Sequence, residues 1–251
     1  MEAADRVRGL IEDARGAFHR GDAERTQALA TAALSAAQGA GDERLISQSL
    51  TWLSRVALRK GDLPEARRLA QEALTVAQRT GDSAPTIGPL HLLAAAARMS
   101  GDLAVARRSY EETLRLARET GNVRMATGEV MNIAAVDLLA GDARAAGQGA
   151  RQALRSAVEQ RLPALIAVCL SILGGVALAE GDDARGARLL GAAEAALARS
   201  DIVFDPDDQA EHDVRSRAAA SRHGPERYRA LAAEGGAMPE QVAIELALRD
   251  I

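Results

Sequence analysis

Asp205, Asp207 and Asp208 stand close together in the string "DPDD", and His212 follows one helical turn later. Carboxylates and an imidazole at that spacing are the residue types of a metal site or of general acid–base chemistry. The same residues also suit the start of a helix. Asp205-Pro206 would open it, and two aspartates in its first turn would face the positive end of the helix dipole. The second reading needs no further ligand and is preferred. The other histidines, His19, His91 and His223, show no ligand spacing among themselves. Cys169 sits in "ALIAVCLSILGGVALA", where a small core residue belongs. The glycine-rich strings "LGGV" and "EGGAM" follow no predicted strand, which a phosphate cradle requires. His91 and Asp137 remain as one pair of types able to exchange a proton. The search yields no catalytic constellation, no metal ligand set and no cofactor motif.

The elements that would position these residues must be helices. The 251 residues are 47% hydrophobic but only 2% aromatic, so a core must be built from Ala, Leu, Val and Ile. Ala, Leu, Arg and Glu favour helix, and clusters of strand-forming residues are missing. Net charge is −4, Lys60 is the only lysine, and the arginines are interspersed with acids, which argues against nucleic-acid binding. One cysteine cannot form an internal disulfide, the N-terminus carries charges throughout, and no apolar run reaches bilayer length. A cytoplasmic location without a membrane partner is expected.

Gly-Asp recurs at 21–22, 41–42, 61–62, 81–82, 101–102, 141–142 and 181–182, with Gly121-Asn122 filling one gap. Between the pairs, apolar residues follow the helical period, as with Leu63, Ala66, Leu69, Ala70, Ala73 and Leu74. A glycine just past a helix end closes the last turn, and an aspartate directly after it caps the next helix. The segments opening at 41, 81, 121 and 161 are more apolar than those opening at 21, 61, 101, 141 and 181. The true repeat is therefore forty residues, one buried and one outer helix. At 161–163 Arg-Leu-Pro replaces Gly-Asp, and Pro163 suits a helix's first turn. The pattern predicts five helix pairs over 1–199. Residues 200–251 are predicted as a helical cap, with helices from Pro206 to about His223, from Pro225 to Gly235-Gly236, and from Glu240.

These residues resemble the tetratricopeptide repeat. Leu53-Ser54, Gly61-Asp62, Ala66, Ala70 and Ala73-Leu74 match its pattern. So do Leu93-Ala94, Gly101-Asp102, Ala106 and Tyr110, and again Ile133-Ala134, Gly141-Asp142 and Ala153-Leu154. The forty-residue unit and the shortage of aromatics depart from it. With the tail "GARLLGAAEAALARS", they are similar to the C-terminal sensor region of LuxR-type ATPase and cyclase-linked regulators. The ATPase loop and the DNA-binding helix-turn-helix of those regulators are absent. The resemblance implies an all-α fold, a right-handed α-α superhelix in which the first helix of each pair lines a concave groove.

On that mapping the groove residues are Arg15, then Gln48, Trp52, Arg55 and Arg59, then His91 and Arg98, then Met131 and Asn132, and finally Ser171. The N-terminal half would be basic and the C-terminal half smooth and apolar. The arginines suit a carboxylate or phosphate held by forked hydrogen bonds, or else pair with neighbouring acids at the surface. Asp137 occupies a position the pattern reserves for a packed side chain. It is either half of a buried pair, with Arg98 as a candidate partner, or a polar anchor for ligand. The leading expectation is a non-catalytic interaction or sensor region binding a protein segment or peptide. The alternatives are a small-molecule effector sensor and, lower, a solenoid recruited as a biosynthetic enzyme. A homodimer stays open.

Overall fold

The computed structural model describes residues 2–249, apart from the side chains of Glu2, Ala3 and His223. Among the described residues there are thirteen α-helices and no strand. They divide into two compact units, residues 1–122 and 123–251.

The first unit holds α1 (Glu2–His19), α2 (Ala23–Ala40), α3 (Glu43–Arg59), α4 (Leu63–Arg79), α5 (Ile87–Met99) and α6 (Leu103–Glu119). One turn shows how they are joined. Gly61 takes φ +76°, a left-handed conformation that glycine adopts without a Cβ penalty. The Gly61 N–H donates to the Leu58 carbonyl at 3.0 Å and the Asp62 N–H to Ala57 at 2.9 Å. This pair of bonds closes the end of α3 in a Schellman motif. The Asp62 carboxylate then accepts the Glu65 N–H at 3.1 Å and caps α4. The same two backbone bonds recur at residues 21–22, 41–42, 101–102, 121–122, 141–142, 161–162 and 181–182.

Two turns depart from that scheme. At 161 an arginine holds the left-handed φ of 54°, and Leu162 offers no capping side chain. After Gly81 the expected helix start is delayed. Pro85 sits in a 3-10 turn at Ala84–Thr86, and α5 begins only at Ile87, which leaves it thirteen residues long. A proline disfavours helical backbone in the residue before it, which accounts for the delay.

Within the first unit α1, α3 and α5 lie side by side, and each also packs against its own partner α2, α4 or α6. Ala66, Ala70 and Ala73 on α4 meet Leu50, Ala57 and Leu92, so the small residues bring the helix axes close.

The second unit holds α7 (Val123–Leu139), α8 (Ala143–Glu159), α9 (Pro163–Ala179), α10 (Asp183–Arg199), α11 (Pro206–His223), α12 (Pro225–Gly236) and α13 (Glu240–Leu248). Every residue of α9 from Ile166 to Leu178 is buried, because α7, α8, α10, α11 and α13 all contact it. A helix that is apolar all round is stable only when enclosed in this way. Phe204, Ala243 and Ile244 from the C-terminal segment join the same core as Leu170, Leu173 and Leu189. A fully buried Leu or Ile there contributes about 1.5–3 kcal/mol. No helix among the described residues is long and apolar enough to cross a membrane.

Candidate functional site

On α3 the residues Gln48, Trp52, Arg55 and Arg59 recur at spacings of four, three and four, which places them on one stripe of the helix. Phe18, at the end of the neighbouring α1, lies against that stripe. Its ring meets Trp52 edge to face with centroids 5.6 Å apart. The Arg59 guanidinium lies 4.1 Å from the Phe18 centroid and also donates to the Phe18 carbonyl at 3.4 Å. Arg55 lies 5.4 Å from the Trp52 centroid and 5.8 Å from that of Phe18. Two cations thus share one aromatic platform, an arrangement that orients each guanidinium plane and strengthens with partial desolvation.

The other first-unit candidates are placed differently. Arg15 is exposed and bound to Glu12 on its own helix at 2.5 Å. His91 on α5 packs its ring 5.9 Å from that of buried Tyr110 on α6. Arg98 is only 4% exposed, so it belongs to the interior of its unit rather than to an open groove wall.

The second unit corrects the expectation of a smooth apolar groove wall. Met131, Asn132 and Asp137 on α7 are buried, and the Asn132 amide donates to Glu129 at 3.1 Å. Asp137 is 6% exposed. Ser171 on α9 is only 1% exposed and does not line an open groove, because α11 lies over it. The Arg215 guanidinium donates to Ser171 Oγ at 3.1 Å, and Ser171 Oγ lies 2.9 Å from His212 Nδ1. His212 Nε2 lies 3.0 Å from Glu194 Oε1 on α10. A consistent set of donors runs from Arg215 to Ser171, to His212, to the Glu194 carboxylate. Arg215 is also paired with Glu211 at 2.6 Å. Gly175 makes room for this contact, since a Cβ there would stand 2.9 Å from Arg215 Cδ and 2.7 Å from Leu138 Cδ2.

Serine, histidine and glutamate in hydrogen-bonded order are the types of a hydrolytic triad. The environment points elsewhere. Ser171 is sealed from solvent and its oxygen already accepts the Arg215 N–H, so no space for a substrate stands beside the hydroxyl. The network clamps α11 to α9 and α10. Asp207 and Asp208 do stand in the first turn of α11, where the helix-start reading puts them, and both are buried. Phe204 covers the His212 ring with centroids 4.9 Å apart. Cys169 is fully buried, and burial followed by the nearby Asp208 charge pushes its thiol far above the usual range. No cluster of three or more potential metal ligands occurs among the described residues. His91 and Asp137 belong to different units.

The family model for the tetratricopeptide repeat matches residues 45–119. Residues 45–119 thus carry the tetratricopeptide-repeat pattern. Among solved structures, a Rap protein complexed with competence and sporulation factor aligns with a TM-score of 0.70 at 14% identity, over 98% of this chain and 64% of the Rap chain. This chain thus spans less than two thirds of that protein. The apo form of RapI aligns at 0.59 and 14%, over 96% of this chain and 98% of its own. A putative kinesin light chain from Podosopora anserina with nearly identical TPR-like repeats aligns at 0.54 and 18%, over 80% and 98%. At these identities the likeness is one of fold. No curated protein matches the sequence.

The tetratricopeptide repeats of 45–119 are α3 to α6, so the matched segment contains Trp52, Arg55, Arg59, His91 and Arg98. The forty-residue period also exposes one irregular position. Five residues before each capping position stand Ala17, Ala37, Ala57, Ala77, Ala97, Ala117, Ala157 and Ala177, but Asp137 takes the place of alanine in the fourth pair. Its backbone still closes the turn in the regular way, accepting the Asp142 N–H at 2.9 Å. The side chain is therefore the anomaly, and the turn does not explain it.

Proposed function

We propose that this chain is a non-catalytic interaction module of a cytoplasmic regulatory system, and that it holds an acidic segment of a partner protein on α1, α3 and α5. The observation that carries this reading is the platform of Phe18 and Trp52 with Arg55 and Arg59 stacked on it. A stacked guanidinium keeps its donors in a fixed plane, the geometry that forked hydrogen bonds to a carboxylate require. Gln48 extends the stripe by one turn, with Arg15 and His91 on the flanking helices. The regulatory setting is supported by the resemblance to regulator sensor regions and by the Rap fold, solved with a bound factor. In the second unit α11 lies over Ser171, which favours the first unit as the receiving face. Residues 200–251 serve as the end cap of the second unit.

The test is a random-peptide display selection on the intact chain, followed by titration of the selected peptides. Peptides rich in Asp and Glu are expected. Arg55→Ala and Trp52→Ala should each weaken binding by about ten- to a hundredfold, for Arg55 the range of a hydrogen bond to a charged group. The melting temperature should change little in Arg55→Ala and fall in Trp52→Ala, whose ring packs on the core of the first unit. Selected peptides that bind both variants as well as the parent would exclude this face.

A further inference from the structure

A second concave feature lies on α3, well away from the aromatic platform. It is a slot of about 540 Å³ bounded by α2 on one side and α4 on the other, with α3 as its floor. Leu34, Leu50, Leu53, Val56, Ala57 and Leu69 make its base apolar. At 3.6 residues per turn the slot positions on α3 lie about 130° around the helix from the Gln48–Arg59 stripe. The two features therefore serve different faces of the same helix.

The shape of the slot follows from its lining. On α3 the lining residues run from Leu50 to Lys60, and on α4 from Asp62 to Glu72. Ten residues of helix rise about 15 Å, so the slot is three turns long. Its α4 wall carries Asp62, Glu65 and Glu72 against one arginine, Arg68, which leaves that wall with two surplus negative charges. The α2 wall presents only the uncharged Gln27 and Thr31, and Lys60 closes the slot by bonding Gln27. Arg68 is held between Glu65 at 2.7 Å and Glu72 at 3.0 Å, which fixes the acidic edge in place. Its hydrogen bond keeps the Glu65 carboxyl below the usual carboxylate range, so Glu65 remains charged into mildly acidic solution.

We propose that this slot receives the apolar ridge of an amphipathic helix from a partner protein, with lysine or arginine residues along its α4 flank. A three-turn apolar trough fits side chains at i, i+4 and i+7 of one helix. The one-sided charge sets the direction of the basic flank. This site is independent of the aromatic platform, and the two proposals can fail separately.

The test uses the full chain and two fluorescent sixteen-residue helical peptides with leucines at i, i+4 and i+7. One carries lysines along one flank, and the other carries glutamates there. The lysine peptide should bind saturably, and the glutamate peptide about tenfold or more weakly at low salt. Thr31→Trp, an exposed change on α2, should fill the slot and abolish binding, while circular dichroism shows the fold intact. Glu72→Lys should weaken the lysine peptide and flatten its salt dependence, whereas Trp52→Ala should leave it unchanged. Equal affinity for both peptides, no saturable binding by either, or full binding by Thr31→Trp would overturn the proposal.

Discussion

Arg59 above the Phe18 ring and Arg55 above Trp52 are two residues whose cost of ordering is met before any partner arrives. A side chain already held in one orientation loses little further entropy on binding, so its hydrogen bonds convert into affinity more fully. Asp137 poses the opposite problem at the same scale. Eight equivalent positions use alanine, and a buried carboxylate costs stability unless something compensates for it. Buried charges are normally paired, so Asp137→Ala is expected to lower the melting temperature by several degrees and to leave the affinity for selected peptides unchanged. An unchanged melting temperature with weakened peptide binding would instead make Asp137 a ligand contact. The anomaly was legible in the sequence because the period is strict enough to expose a single exception. The partners of Ser171 were not legible, because His212 and Arg215 are some forty residues away in the chain and sit on a helix that reads as wet.

Helices in this chain are cut by a rule visible in the sequence. At most junctions the glycine takes the left-handed turn and the aspartate caps the following helix, as Asp42, Asp102, Asp142 and Asp182 do with 2.9–3.1 Å bonds. The helix bounds of the pairs follow from it, apart from α5, where Pro85 intervenes. The way elements cross was harder to read. The "EGGAM" string, empty as a phosphate motif, is where α12 meets α10. A Cβ on Gly235 would stand 1.9 Å from the Arg188 carbonyl oxygen, and one on Gly191 would stand 2.0 Å from that of Ala232. Two backbones touch there with no side chain between them. Such a contact joins residues more than forty apart, and no local periodicity encodes it. Gly235→Ala should force the helices apart and lower stability by about 1–3 kcal/mol, the usual cost of overpacking. Urea unfolding followed by circular dichroism checks this. A variant as stable as the parent would mean that the crossing tolerates a methyl group.

At the scale of the molecule, repeated pairs stack so that each helix rests mainly on its neighbours, and stability is a sum of local interfaces. That design leaves the faces of the inner and outer helices free to diverge, which is why one helix, α3, can carry both a cationic aromatic stripe and an apolar slot. It also explains why fold was easier to read than function. The repeat period recurs along the chain and is read many times over, whereas each binding face is written once, in a few residues drawn from different pairs. The central claim is that the α1–α3–α5 face of the first unit receives the partner. Hydrogen–deuterium exchange with and without a selected acidic peptide tests it most directly. Binding should add protection in α3 between Gln48 and Arg59 and at the end of α1 around Phe18. Protection confined to α2 and α4, or to the second unit, would contradict it.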